Sequence, residues 1–285
     1  MATPQPGATA WLSDIGRLRS ENQDACCEFR DASGAQLLVV ADGMGGHQGG
    51  ATASRLAIET VGEIFRGAPR GGAAMLRQSL ETANARVYET AGRQVDLLGM
   101  GTTCVALLFT PDGAAWVAHV GDSRAYRLRE GRIEALTADH SAVAELVRRG
   151  VLSPEEGAVH PRRNELLRSI GVEPSVEVDL IEVDARPGDR FLLCTDGLSG
   201  VVEDAEIGRL LASAAPARAV RQLVDAANAR GGPDNVTVMV ALREAGSAMG
   251  RSAPAARPAG RPALSWIGWL LAAALVALVV LRGLA

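Results

Sequence analysis

Apolar residues recur along this chain in two rhythms, and the switch between them predicts the order of elements. Thr9 to Gly16 alternates weakly, as a strand does. Ala25 to Arg30 and Gln36 to Ala41 read as two strands joined by a turn over Asp31 to Gly34. From Gly50 the spacing becomes helical. Ala53, Leu56, Ala57, Val61 and Ile64 share a face, which predicts a helix to about Phe65. Gly67 to Gly72 breaks it, and Leu76, Leu80, Ala83 and Val87 define a second helix. Gly99 to Thr103 reads as a loop. Four short runs then read as an antiparallel meander: Cys104 to Phe109, Ala114 to Val120, Ser123 to Arg129 and Arg132 to Leu136.

A helix is predicted over His140 to Arg149, closed by Gly150, and Ser153-Pro154-Glu155-Glu156 is a helix start. Thr137 to Gly171 is charged and irregular, as a flap over a site would be. Strands follow at Val176 to Val183 and Arg190 to Cys194, helices at Glu203 to Leu211 and Pro216 to Ala229, and a last strand at Val236 to Leu242. Helices come in groups instead of alternating with strands. That order predicts an α+β fold with antiparallel sheets, not a doubly wound parallel one.

The C-terminal end has a different character. Residues 246–263, rich in Ala, Pro, Gly and Arg, read as a flexible linker after a domain spanning 1–245. Residues 264–281 carry no charge, with Trp266 and Trp269 near the start, and read as a transmembrane helix. Arg251, Arg257 and Arg261 precede that segment and only Arg282 follows it. The positive-inside rule then puts the main domain in the cytoplasm, on a single-pass anchor in the inner membrane. A buried C-terminal helix is the alternative.

Composition removes several classes of function. The net charge of -4 gives no basic surface for nucleic acid. Every basic residue is Arg, which with so much Ala and Gly reads as compositional bias. Cys26, Cys27, Cys104 and Cys194 form no C-x-x-C, so a zinc or redox motif is not expected and reduced core thiols are.

The chemistry gathers on aspartate. The apolar run Leu37 to Ala41 stops at Asp42, followed by Gly43-Met44-Gly45-Gly46-His47. One such motif is equally compatible with an ordinary turn. However, Phe191 to Thr195 runs into Asp196-Gly197, Trp116 to Gly121 runs into Asp122, Asp234 precedes the last strand, and Asp24 opens the second. If these strand ends share an edge, the carboxylates converge. Converging carboxylates repel, and a hard divalent cation resolves the repulsion. Oxygen ligands without His or Cys favour Mg²⁺ or Mn²⁺ over zinc. Two such ions can activate a water and neutralise a phosphoryl group. Arg19 is placed to grip a phosphate. The glycines are expected to clear space for solvent and ligand.

Seven stretches now resemble a known family in order. They are Arg19-x-x-Asn22-Gln23-Asp24, Val40 to His47, Gly101-Thr102-Thr103, Val120 to Arg124, Leu167 to Gly171, Leu193 to Leu198, and Pro233 to Thr237. Over roughly Ala8 to Leu242 the chain resembles the bacterial metal-dependent serine/threonine protein phosphatases, type 2C or PPM. The resemblance implies a four-layer α-β-β-α sandwich. It implies Asp42 bridging two Mn²⁺ or Mg²⁺ ions, the Gly43 carbonyl on one, Asp196 and Asp234 on the other, and Asp24 acting through water. Asp122 with Asp196 matches a third ion position. Arg19 would bind the substrate phosphate, and a bridging water would attack. Gln23 stands where many members have Glu, which would weaken one ion site. Met44 stands where animal members carry the His assigned as general acid, so His160 and His47 become the candidates. His160 to Asn164 resembles the end of the bacterial flap. The implied partners are phosphorylated proteins, a Ser/Thr kinase and its substrates. Two rival readings are a phosphoprotein-binding module without activity, and a phosphoesterase for small molecules. The intact set Asp42, Asp196 and Asp234 argues against the first.

Overall fold

The computed structural model describes residues 9–46, 49–68 and 70–244. The expected linker, the expected membrane span and His47 lie outside the described residues. Among the described residues, no helix is long and apolar enough to cross a membrane.

Among the described residues eleven strands, numbered in chain order, form two antiparallel sheets. Across the first lie β1 (Thr9–Asp14), β11 (Val236–Leu242), β10 (Arg190–Cys194), β7 (Arg124–Arg129) and β8 (Arg132–Ala135). Across the second lie β2 (Asp24–Arg30), β3 (Gln36–Met44), β5 (Cys104–Phe109), β6 (Ala115–Val120) and β9 (Asp179–Glu182). The short β4 (Gly101–Thr102) pairs with the end of β3.

Both faces of each sheet are apolar, which is why the runs in β3, β5 and β11 are continuous instead of alternating with polar residues. Leu37, Val39 and Ala41 of β3 pack with residues of α1 (Gly49–Gly67) and α2 (Ala73–Arg93). Leu38 and Val40 of the same strand join Leu193 and Met239 of the other sheet. Val236, Val238 and Val240 of β11 pack with α6 (Asp204–Ser213) and α7 (Pro216–Ala229). Phe109 meets Phe191 edge to face across the sheets, with ring centroids 5.3 Å apart. Three cores thus separate four layers, helix pair, sheet, sheet and helix pair. Fully burying one such aliphatic side chain contributes about 1.5–3 kcal/mol.

The strands predicted at Cys104 to Leu136 do not form one meander. β5 and β6 make a hairpin in one sheet, while β7 and β8 make a hairpin in the other. The chain changes sheet at Gly121, whose φ of +106° turns the backbone a way few other residues accept. Strand β3 runs past Ala41 to Met44, because β4 offers the hydrogen-bonding partner that keeps it extended. Part of the expected loop at Gly99 to Thr103 is therefore strand. The expected helix from His140 starts later, as α3 (Ala142–Arg148), because the Ser141 side chain caps it by accepting from the Ala144 N–H. The last expected strand before β10 shortens to Asp179–Glu182. A one-turn helix, α5 (Asp196–Ser199), follows β10 unannounced. The predicted start at Ser153 is present, with a reciprocal Ser153–Glu156 capping box opening α4 (Pro154–Ala158). All four cysteines are free thiols.

Gly121 makes the corner testable. A Cβ there would lie 2.6 Å from the Thr103 side chain, at a φ disfavoured for any other residue. Gly121→Ala should cost at least about 2 kcal/mol, read as a Tm lowered by several degrees in thermal unfolding. An unchanged Tm would show that the corner tolerates a side chain.

Candidate metal centre

One edge of the two sheets collects the predicted aspartates. Asp24 and Asp42 are direct cross-strand partners in the β2–β3 pair. Asp122 follows β6 at the sheet-changing corner, Asp196 is the first residue of α5, and Asp234 lies in the turn before β11. Asp42, Asp122, Asp196 and Asp234 line one cavity of about 240 Å³ together with Arg19, Gln23, Gly43 and Met44. Asn164 and Leu166 of the flap complete its wall.

Their electrostatics are those of crowded anions. Asp42 opens into the cavity but is surrounded by protein, and that burial is the first cause that raises its pKa well above the usual carboxylate range. The charges of Asp24, Asp196, Asp122 and Asp234 raise it further, in that order. Burial pushes Asp24 up to about 7, against hydrogen bonds from Thr237 and Thr195, with Asp196 and Asp234 adding to the rise. Burial and then Asp196 push Asp122 up to about 8. Asp196 is raised by burial and then by Asp234, while a hydrogen bond with Asp42 works the other way. Asp24 Oδ1 and Asp196 Oδ1 are buried without a hydrogen-bond partner. An orphaned, buried carboxylate oxygen is costly unless a cation or a proton meets it. The all-oxygen donor set, the orphaned atoms and the cavity fit hard divalent ions.

Local sequence explains how the cluster is held. Gly43 and Gly50 do not serve mainly to clear room for solvent, as the glycine run suggested. A Cβ on Gly43 would stand 2.1 Å from the Gly50 carbonyl oxygen, and one on Gly50 would stand 2.4 Å from Gln23 Oε1. They let the start of α1 and the loop before β2 press against the strand that carries Asp42. Gly46, by contrast, faces open space.

Several holding residues carried no role in the sequence reading. The Asp42 N–H donates to Thr103 Oγ1 at 2.9 Å, and the Asp42 carbonyl accepts from the Thr103 N–H at 2.8 Å. Thr103 Oγ1 lies 2.7 Å from Ser123 Oγ, which ties the β3 end to the Asp122 corner. Thr195 Oγ1 donates to Asp24 Oδ2 at 2.9 Å. Asn235 accepts from the Gln23 N–H at 2.9 Å and donates to the carbonyls of Ile15 and Glu21 at 3.0 and 2.9 Å. That clamp fixes the segment carrying Arg19 and Gln23. The advance signal was that Thr103, Thr195 and Asn235 lie inside the family-like stretches, though none was given a role.

Arg19 reaches the site as an ion pair, with its guanidinium 2.7 Å from Asp234 Oδ2, and its side chain is 54% exposed. His160 does not line the cavity; its Nδ1 accepts from the Arg162 N–H at 3.1 Å. His47 lies outside the described residues.

Fold and site together define a metal-dependent phosphatase scaffold. Residues 17–241 match the family described as Protein phosphatase 2C, and the chain belongs to that family. It is 37% identical over 241 residues to a serine/threonine phosphatase, Stp, of Listeria monocytogenes, covering 81% of this chain and 94% of that protein. The structure of the Streptococcus agalactiae serine/threonine phosphatase superposes with a TM-score of 0.78 at 37% identity, covering 83% of this chain and 99% of that one. The catalytic domain of the phosphatase PstP in complex with two manganese ions superposes at 0.73 with 37% identity, covering 83% of this chain and 98% of that domain.

The raised carboxylates set a pH dependence for the metal-free protein. With folded pKa values of about 7 and 8 for Asp24 and Asp122, against 3.8 when unperturbed, the folded state holds more protons than the unfolded one between those limits. Stability therefore falls as pH rises from about 4 to 8. In EDTA, Tm should drop across this range, and Mn²⁺ should raise it more at pH 8 than at pH 5. Asp42→Asn should raise the EDTA Tm at pH 8, because it removes a carboxylate whose pKa burial, and then its acidic neighbours, hold well above the unfolded value. A Tm in EDTA that climbs from pH 5 to 8 would contradict this account.

Proposed function

We infer that this chain hydrolyses phosphoserine and phosphothreonine in proteins, using Mn²⁺ or Mg²⁺ held by its aspartates. The observation that carries this reading is the convergence of aspartates from separate elements on one cavity, with two buried carboxylate oxygens left without partners.

In this reading Asp42, the Gly43 carbonyl, Asp196 and Asp234 would together hold two ions. Asp24 acts through solvent, and Asp122 with Asp196 holds a third position. Bound ions supply an activated water and charge neutralisation for the phosphoryl group. The chain's own residues do the rest. Arg19, at the exposed rim, grips two phosphate oxygens once Asp234 is engaged elsewhere. Asn164 and Leu166 close the flap side, and His160, which does not line the cavity, is the first candidate proton donor to the leaving hydroxyl and His47 the second.

The tail supports a location. An uncharged segment over 264–281, two tryptophans and the arginine bias support a single-pass anchor with the phosphatase domain in the cytoplasm. A phosphatase so tethered is placed to oppose a membrane-bound Ser/Thr kinase and to act on its substrates.

The purified chain should release phosphate from a phosphothreonine peptide with Mn²⁺ and stop in EDTA. Asp42→Ala should lower kcat/KM by at least about a thousandfold, the several kcal/mol that metal ions supply. Activity surviving both treatments would sink the reading. Arg19→Ala should raise KM about 10- to 100-fold, the worth of charged hydrogen bonds, with a smaller change in kcat. An unchanged KM would remove Arg19 from phosphate binding. For the anchor, deleting 264–281 should move the protein from the membrane to the soluble fraction.

A further inference from the structure

Behind the aspartate edge lies a second polar cluster that the proposed chemistry does not use. His119 of β6 and Asp179 of β9 are direct cross-strand partners. His140, at the root of the flap, stacks edge-on over His119 with ring centroids 4.3 Å apart. Both histidines are at least 98% buried. His119 has no hydrogen-bond partner on either ring nitrogen. His140 Nε2 lies 3.3 Å from Asp179 Oδ2 without the alignment of a hydrogen bond, and Asp179 Oδ1 accepts from Arg168 at 2.7 Å.

Two histidines and a carboxylate within 4.8 Å invite a metal reading. The hydrogen bonds of His140 oppose it. Its Nδ1 accepts from the Gly121 N–H at 3.2 Å, so the Nδ1 lone pair is taken and the ring proton sits on Nε2, facing Asp179. A metal on Nε2 would force that proton to Nδ1, against the Gly121 N–H. Burial, and after it the Arg168 charge, lowers the pKa of His140, and burial followed by His140 lowers that of His119 to about 4. Both rings are thus neutral, and a neutral ring has one defined tautomer.

What His140 holds is the corner itself. Its own N–H donates to the Gly121 carbonyl at 3.0 Å while its Nδ1 receives the Gly121 N–H, so both polar groups of Gly121 end on one residue. Gly121 is the residue before Asp122. The His140 carbonyl accepts from the Leu167 N–H at 2.7 Å, which closes the flap's outgoing strand onto its root one residue from the cavity-lining Leu166. We propose that His140 is a positioning residue that fixes the Asp122 carboxylate for the third ion, with the Gly121 N–H on Nδ1 setting the tautomer that lets it do so. The proposal rests on the metal reading above.

Two substitutions separate this role from general packing. His140→Asn places an amide oxygen about where Nδ1 stands, so it keeps the acceptor for Gly121 and drops the Nε2 end that faces Asp179. His140→Gln does the reverse. Mn²⁺ titration of the full-length chain by calorimetry should resolve tighter sites and one weaker site in the wild type. His140→Gln should weaken the weaker site by about tenfold or more, as loss of residues supporting metal ligands does, and leave the tighter sites alone. His140→Asn should stay within about threefold of wild type, the spread of context effects on a kept interaction. ¹⁵N NMR of the metal-free wild type should show His140 with Nδ1 unprotonated and Nε2 carrying the proton. Equal weakening in both variants, or the opposite tautomer, overturns the proposal. Stoichiometric Zn²⁺ uptake that is lost in His119→Gln overturns it in favour of a metal cage. A wild type that binds only tight ions removes the third position and the proposal with it. A wild type that binds no Mn²⁺ instead defeats the metal reading beneath it.

Discussion

Mutual repulsion among buried carboxylates is the constraint on which the rest of this structure turns. Burial raises the pKa of Asp42 first, and the charges of Asp24, Asp196, Asp122 and Asp234 raise it further. A fold does not gather such groups for stability, since each one desolvated without a partner costs several kcal/mol. The cost is met by the surrounding framework. Three aliphatic cores and eleven strands hold the aspartates by their backbones, so repulsion between side chains cannot push them apart. The hydrogen bonds at Asp42 illustrate this, because Thr103 grips both its N–H and its carbonyl and leaves the carboxylate free to face the cavity.

The framework has its own local demands at the same edge. Gly43 and Gly50 bring two segments into contact, Gly121 turns the chain from one sheet to the other, and Gly197 would drive a Cβ to 1.9 Å from the Asn235 carbonyl oxygen. Gly43, Gly121 and Gly197 each adjoin an aspartate of the cluster. The Asp-Gly pairs are therefore two requirements met side by side: a carboxylate for charge, and a residue without a side chain so that distant segments can close around it.

Much of this was legible in the chain, for a physical reason. Burial period is local, so β5, β10, β11 and α7 stand where the apolar rhythm predicts them. Strand pairing is not local. Nothing in Cys104 to Leu136 distinguishes one meander from two hairpins in different sheets, because both need the same short apolar runs and the same turns. The aspartates were legible because five strand ends repeated one pattern. The residues that hold them were not, because Thr103, Thr195 and Asn235 act on partners 20 to 220 positions away. His140 was hidden for a related reason. The helical rhythm absorbed it into α3, whereas the Ser141 cap frees it to turn back onto Gly121.

Arg19 shows how the charge problem and the chemistry meet in one side chain. Without metal, its guanidinium covers an oxygen of Asp234 and supplies part of the positive charge that the cluster lacks. Its charge also counts among the causes that lower the pKa of Asp196. The pair is more than half exposed on the arginine side, so water screens it and it contributes little to stability. A strong, buried pair would hold Arg19 in place and deny it to substrate. A weak, exposed one yields when Asp234 is engaged by a cation, and the freed guanidinium then meets the next anion to arrive. On the proposed function, with Arg19 binding phosphate and Asp234 a cation, this pairing would order the two events without any change in the fold. In the metal-free chain the cluster is partly neutralised by its own arginine, and on the proposed function the phosphate would find that arginine only after a cation had replaced it.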